Sequence, residues 1–400
     1  MSARDAVTAR DAVTRSYLDH ASTTPPRPEA LEALTKWMAL PSADPGRVHE
    51  EGRIVRDAIE EAREQVADLV GVTPRQVIFT SGGTEAINAA VWGVTGGGGG
   101  GGAASGGPIL CADVEHSAVR NSSARAGDVE VIPVSATARL DTTWLSERLA
   151  STTLPRPALV HCQWANHEVG TLQPVGEIVR LCRESGVPIH LDTAAATGHV
   201  PLHLSELGPD LTSISAHKLG GVPGAGALII RRGYRIAPFV LGGDQERGRR
   251  GGLEAVPALV AFGAAAAALA ADDQRSLRVE AARSQQHIAA LTAAALSVDG
   301  VEVIGAPDAA DRLPNVICLG VHGVEAEPVV IGLDRAGVAV HSGSACSSES
   351  IEPSPVLEAM GVDANHSLRV SVGWSTTEAD VAAFAVAFAD VVAGLRALRS

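Results

Sequence analysis

Lys218 is one of only two lysines in the chain, the other being Lys36. Chemistry that needs a primary amine therefore has two candidates, and Lys218 stands in the suggestive place. It closes Ser215-Ala216-His217-Lys218, directly after an apolar run, and Gly220-Gly221-Val222-Pro223-Gly224-Ala225-Gly226 follows. A solvated side chain is the default for a lysine. An amine beside a histidine, at a strand end and before a Gly-rich turn, suits a group whose pKa is lowered and which forms a Schiff base. Pyridoxal 5'-phosphate (PLP) is the usual partner of such an amine, and its pyridinium nitrogen needs a carboxylate. Asp192, which ends the run Val187-Pro188-Ile189-His190-Leu191, meets that need. The phosphate needs backbone N–H groups at a helix start. Thr80-Ser81-Gly82-Gly83-Thr84-Glu85 supplies strand, glycines, hydroxyl and helix in that order.

These residues need a scaffold that gathers strand ends. Short β-rich runs at 77–80, 109–112, 129–134, 158–164, 187–192, 211–215 and 225–231 alternate with helical patterns such as the one over 175–185. This alternation predicts an α/β fold with a mostly parallel sheet and helices on both faces. Ligands of such sheets bind beyond the carboxyl ends of the strands, where Asp192 and Lys218 fall. Upstream, Ile59, Ala62, Val66, Leu69 and Val70 share one helical face over 56–70, with Glu60, Glu61 and Glu64 opposite. From residue 256 an Ala-rich helical stretch to 297 leads to strands at 301–304, 315–320, 337–341 and 367–372 and a final helix from Thr376. The expected organisation is an N-terminal extension (1–16), a large domain (17–255) and a smaller α+β domain (256–400) to which the N-terminal segment contributes.

Composition excludes several classes. The chain has 400 residues, and 46% hydrophobic against 20% charged is ample apolar material for a core, which excludes disorder over most of its length. A formal charge of -14 argues against direct nucleic-acid or membrane binding, both of which need a basic face. Five scattered cysteines with no CxxC pair point to free thiols in a reducing cytoplasm, and no metal ligand set is assigned. The N-terminus carries a tandem repeat, Ala3-Arg4-Asp5-Ala6-Val7-Thr8 and then residues 9–14, rather than a secretory signal. The apolar run 256–271 is mostly alanine and shorter than the roughly 20 residues a membrane span needs, so a buried helix is expected. The glycine run 96–102 lacks a Lys-Ser/Thr ending and follows a helix, so it is expected as a flexible surface insert rather than a phosphate loop.

Several stretches together resemble a known family. They are Tyr17-Leu18-Asp19-His20-Ala21-Ser22-Thr23-Thr24-Pro25, 79–88, Glu115-His116-Ser117, 166–170, Ser215-Ala216-His217-Lys218, 242–248, Ser342-Gly343-Ser344-Ala345-Cys346 and Ser367-Leu368-Arg369. In this order, from about residue 17 to the C-terminal end, they resemble PLP-dependent cysteine desulfurases of the NifS/IscS type, within the class V aminotransferases. The resemblance implies the fold type I of PLP-dependent transferases, with a seven-stranded sheet in the large domain, and a homodimer. It makes Lys218 the Schiff-base lysine and proton shuttle, and Asp192 the partner of the pyridine nitrogen. His116 stacks on the ring, and Gly83, Thr84, Ser215 and His217 cradle the phosphate. His167 faces the ring hydroxyl, while Arg369, with Asn166 beside it, binds the substrate carboxylate.

By the same resemblance Cys346 carries sulfur. Its surroundings, Ser342 to Ser350, are small and polar, whereas Cys111, Cys162, Cys182 and Cys318 sit in or beside apolar elements and are expected to pack as small hydrophobes. A Cys346 thiolate would attack the sulfur of bound L-cysteine, leaving L-alanine and a persulfide for a separate sulfur-acceptor protein serving Fe–S clusters, tRNA thiolation or thio-metabolites. Three positions depart from the family pattern. Asn166-His167 stands where it has paired asparagines, Ala195 where it has a glutamine, and Leu253 where it has a threonine. Two other readings stay open on this evidence: a selenocysteine lyase or other C–S lyase, and a degenerate paralogue that only binds a sulfur-transfer partner.

Overall fold

A computed structural model of the chain describes residues 15–40, 43–96, 106–342 and 353–398. The tandem repeat, most of the glycine run and Cys346 lie outside the described residues.

Every run expected as a strand between 77 and 231 forms one. With β1 as Ser16–Tyr17, they are β2 (Val77–Thr80), β3 (Ile109–Cys111), β4 (Val129–Val131), β5 (Leu159–Gln163), β6 (Ile189–Asp192), β7 (Leu211–Ser215) and β8 (Gly226–Ile230). They build a seven-stranded sheet in the order β2-β8-β7-β6-β5-β3-β4. Strands β4, β3, β5, β6 and β7 run parallel, and β8 is antiparallel to both its neighbours. The reversal at β8 brings its first residue, Gly226, opposite Thr80 and Ser215, the last residues of β2 and β7. At Gly226 a β-carbon would lie 2.5 Å from the Gly82 carbonyl carbon, so glycine there lets the turn after β2 close over the sheet.

The helix Glu50–Val70 shows why the apolar stripe matters. Ile59, Ala62, Val66, Leu69 and Val70 are all buried, and Gly71 ends the helix in the left-handed region at φ 67°. Each fully buried aliphatic side chain contributes about 1.5–3 kcal/mol. The stripe packs on the long helix Val256–Leu296, where Gly263 permits close approach: a β-carbon there would meet the Ala62 Cα at 2.6 Å. That helix is long and apolar enough to cross a membrane by composition alone. It breaks at residues 271–274, with Asp272, Asp273 and Gln274 in the left-handed region. Before the break Leu259, Phe262, Ala265 and Leu269 join the core beneath the large sheet. After it Ile288, Leu291 and Ala295 join a second core.

The second core lies under a four-stranded antiparallel sheet, β12-β13-β10-β9, formed by β9 (Val301–Ile304), β10 (Val316–Val321), β12 (His341–Ser342) and β13 (Ser367–Ser371). The single strand expected at 337–341 is divided. Val338–Ala339 is β11 and pairs in parallel with β1, while His341–Ser342 pairs with β13. Ser16, assigned to the extension by composition, is therefore a buried sheet residue, because its partner comes from more than 300 positions away. Leu18 is buried in the same core, and Asp19 bridges to Ser371.

Candidate active site

A cavity of about 410 Å³ opens at the carboxyl edge of the large sheet, where seven separate stretches meet. Its walls carry Gly83, Thr84, His116, His167, Asp192, Ser215, His217, Lys218 and Arg369. Nine of the expected site residues thus surround one space. Asn166 does not line it. Its Nδ2 donates to the Val114 carbonyl at 3.2 Å, and its Oδ1 accepts from the Glu168 and Val169 N–H groups, both at 2.9 Å. Expected as a substrate-binding residue, Asn166 stands apart from the cavity lining, and these bonds use its amide to shape the turn after β5, a need that a residue pattern does not display.

Each wall follows from local folding. Asp192 is the last residue of β6; its Oδ1 accepts from Ser213 Oγ at 2.9 Å and from the Ala194 N–H at 3.0 Å. Lys218 ends a short 3-10 turn directly after β7. The N-terminal segment lies over this turn: Thr24 N–H donates to the His217 carbonyl, and His217 Nδ1 contacts Thr23 Oγ1 at 3.1 Å. The helix Gly83–Thr95 starts at the cavity with its first N–H groups unspent within the helix. At Gly83 a β-carbon would stand 3.3 Å from Ser215 Cβ, so hydrogen there keeps the floor open. His116 caps the helix Ser117–Ala126, its Nδ1 accepting from the Ala118 N–H at 3.1 Å. That bond places the ring proton on Nε2 and fixes the plane of the imidazole.

The site holds its imidazoles neutral. Burial first, and then the Lys218 charge, lowers the pKa of His116 and brings that of His217 down to about 4. His167 is pushed well below its usual value by burial, then by His116 and Lys218, and its ring meets His116 edge-on with centroids 5.2 Å apart. Arg369 brings a permanent positive charge to the cavity beside the Lys218 amine, which suits an anionic occupant.

PLP is compatible with these donors. The helix start and its glycine floor can take a phosphate, Asp192 can face a protonated ring nitrogen, and a flat neutral imidazole at His116 can stack on an aromatic ring. Two of the three departures, His167 and Ala195, line the cavity. The third, Leu253, is exposed and stands outside that lining.

Two carboxylates here were not singled out from the sequence. Asp19 pairs with Arg369 at 2.9 Å. Glu115 is fully enclosed; its Oε1 accepts from the Gln163 N–H at 2.7 Å, and its Oε2 is buried with no partner among the described residues. Nothing in a glutamate following a short strand signals such burial. Desolvation first, opposed by the Gln163 bond and helped by Asp192, raises its pKa from 4.5 to about 8. The folded state then holds a proton that the unfolded chain releases near pH 4.5. Stability from this group is full below pH 4.5 and is lost as pH rises through about 8. Glu115→Gln keeps the acceptor and removes the titration. The expected result is a Tm gain that is small at pH 5 and larger at pH 8, read by calorimetry across that range.

Comparison with known proteins fits this geometry. The family model described as "Aminotransferase class-V" matches residues 16–384. The chain belongs to the class-V aminotransferase family. Class-V aminotransferases are PLP-dependent enzymes, and fold type I is the fold expected above. Among its relatives, the IscS-like cysteine desulfurase of Mycobacterium tuberculosis is 38% identical, the match covering 92% of this chain and 93% of that one. The cysteine desulfurase IscS of Dictyoglomus turgidum is 36% identical over 91% of both chains. A NifS-like protein from Rickettsia africae superposes with a TM-score of 0.84 at 30% identity, covering 94% of this class-V chain and 99% of its own.

Proposed function

We propose that this class-V enzyme is a cysteine desulfurase, converting L-cysteine to L-alanine and an enzyme-bound persulfide. The observation that carries this reading is the convergence of Lys218, Asp192, His116 and Arg369 with a helix N-terminus on one cavity. When bound, PLP supplies an electron sink for the charge that develops at the substrate Cα. Lys218 carries the proton at that Cα. Asp192 holds the proton on the ring nitrogen, with Ser213 and the Ala194 N–H fixing its orientation. Backbone N–H groups at Gly83 and Thr84, with Ser215 and His217, bind the phosphate, and Arg369 binds the substrate carboxylate. The Cys346 thiolate attacks the substrate sulfur. An S–S bond forms as the Cβ–S bond breaks, Cβ takes a proton, and L-alanine leaves while the persulfide stays on the enzyme.

The names of the relatives favour L-cysteine over other C–S substrates, and retention of the whole constellation disfavours a mere binding scaffold. A sulfur-acceptor protein takes the persulfide onward. A homodimer is supported by Trp92, Phe239, Leu241 and Leu253, which are exposed, and by Arg250 of the same region, which pairs with cavity-lining Glu85 at 2.9 Å. A reducing cytoplasm is supported by four buried cysteines, none in a disulfide.

Titrating the apoprotein with PLP tests the reading. A saturable visible band at one PLP per chain is expected, followed by equal yields of L-alanine and sulfide from L-cysteine with a thiol reductant. Each hydrogen bond to a charged group lost through a departure costs about 1.5–3 kcal/mol, so saturation is expected at higher PLP than in a relative with the glutamine at position 195. No band at any PLP excess would overturn the proposal.

A further inference from the structure

Arg369 lies on β13 with its side chain only 3% exposed, yet it lines the cavity. Its Nη2 donates to Asp19 Oδ1 at 2.9 Å and its Nη1 to the His167 carbonyl at 3.1 Å, while Nε is buried with no partner among the described residues. A guanidinium presents five N–H donors in one fixed plane, so two anchored nitrogens determine where the remaining donors aim. Asp19 is the sole carboxylate paired with Arg369 among the described residues, and a buried arginine without a counter-charge is strongly disfavoured. The backbone around Asp19 is itself immobilised. Leu18 N–H donates to the Ala339 carbonyl, Ser371 N–H donates to the Leu18 carbonyl, and Asp19 bridges to Ser371. The carboxylate thus comes from a rigid element about 350 residues distant in sequence and grips the cavity's buried guanidinium.

We propose that Asp19 is a positioning residue for carboxylate recognition: by holding Nη2 it aims the unspent donors of Arg369 at an incoming carboxylate. This rests on the reading above that Arg369 binds the substrate carboxylate. A residue that only stitches the N-terminal segment to β13 would affect stability but not discriminate between ligands. A positioning residue affects ligands that carry a carboxylate and spares those that do not.

The test uses the holoenzyme and two readouts. In steady state, Asp19→Ala is expected to raise the KM for L-cysteine at least about tenfold with kcat within about twofold, while Asp19→Asn, which keeps the acceptor, stays within about threefold on KM. By calorimetric titration, Asp19→Ala is expected to weaken 3-mercaptopropionate about tenfold and to leave 3-mercaptopropanamide, its uncharged amide, unchanged. Should Asp19→Ala not fold, Asp19→Glu, whose extra methylene displaces the fork, is expected to show the same selective loss. An unchanged KM, or equal weakening of acid and amide, overturns the role of Asp19. If Arg369→Gln also leaves 3-mercaptopropionate binding unchanged, the carboxylate reading of Arg369 fails with it. Loss with Arg369→Gln but not with the Asp19 variants overturns the inference alone.

Discussion

Lys218→Ala is expected to abolish L-alanine formation from L-cysteine, with kcat falling at least about a thousandfold, as its proposed roles of proton carrier and covalent anchor demand. The fold should survive, because the turn carrying Lys218 is held by backbone: Leu219 N–H donates to the Ala216 carbonyl and Arg27 N–H to the Gly220 carbonyl. No other amine can substitute. Lys36 is exposed in the last turn of the helix Pro28–Met38 and is absent from the cavity wall. Borohydride reduction of the PLP-loaded protein, followed by peptide mass mapping, checks the assignment. The label should sit wholly on the Lys218 peptide and be missing from the variant. Label on Lys36, or activity retained by Lys218→Ala, would refute it.

Cys346→Ala is expected to remove cysteine desulfuration by a comparable factor while leaving the visible spectrum of the PLP-loaded protein unchanged. The other four cysteines cannot stand in for it. Cys111, Cys162, Cys182 and Cys318 are all buried. Burial, reinforced by Asp210 for Cys182 and Glu168 for Cys318, pushes those two thiols up to about 12, so roughly one in 10⁵ is ionised at neutral pH. Brief iodoacetamide treatment should therefore label about one thiol per native chain, at Cys346, and stop alanine production in proportion. Alanine production that continues in Cys346→Ala would break the link between this thiol and sulfur transfer. Activity on selenocysteine alone in that variant would move the enzyme to the lyase class.

How far the sequence could reveal this site depended on whether the signal was local. The strand ends at Asp192 and Ser215 and the glycines at 82 and 83 declare themselves through a few neighbouring residues, and they fall where expected. The turn-shaping bonds of Asn166 are not legible in the sequence, because an asparagine that shapes a turn and one that binds a ligand have the same local pattern. Glu115 and Asp19 went unmarked for a different reason. The first owes its raised pKa to enclosure by a strand 48 positions away, and the second owes its partner to a strand at the other end of the chain. The division of 337–341 into two strands has the same origin: half of it is claimed by β1, a partner invisible to periodicity. The break at 271–274 interrupts an Ala-rich helical pattern with Asp272 and Asp273, acids that tolerate the left-handed region better than most residues.

The pairing of β1 with β11 also bears on how the enzyme is made. A chain leaves the ribosome from its amino end, yet Ser16, Leu18 and Asp19 find their partners only at residues 338–339 and 369–371. The large sheet can assemble during synthesis, as domains commonly do. The wall that carries Arg369 cannot be finished until residues 369–371 have been made. A nascent chain that has not reached residue 369 therefore has the Lys218 side of the cavity but lacks the wall that Arg369 and Asp19 build together.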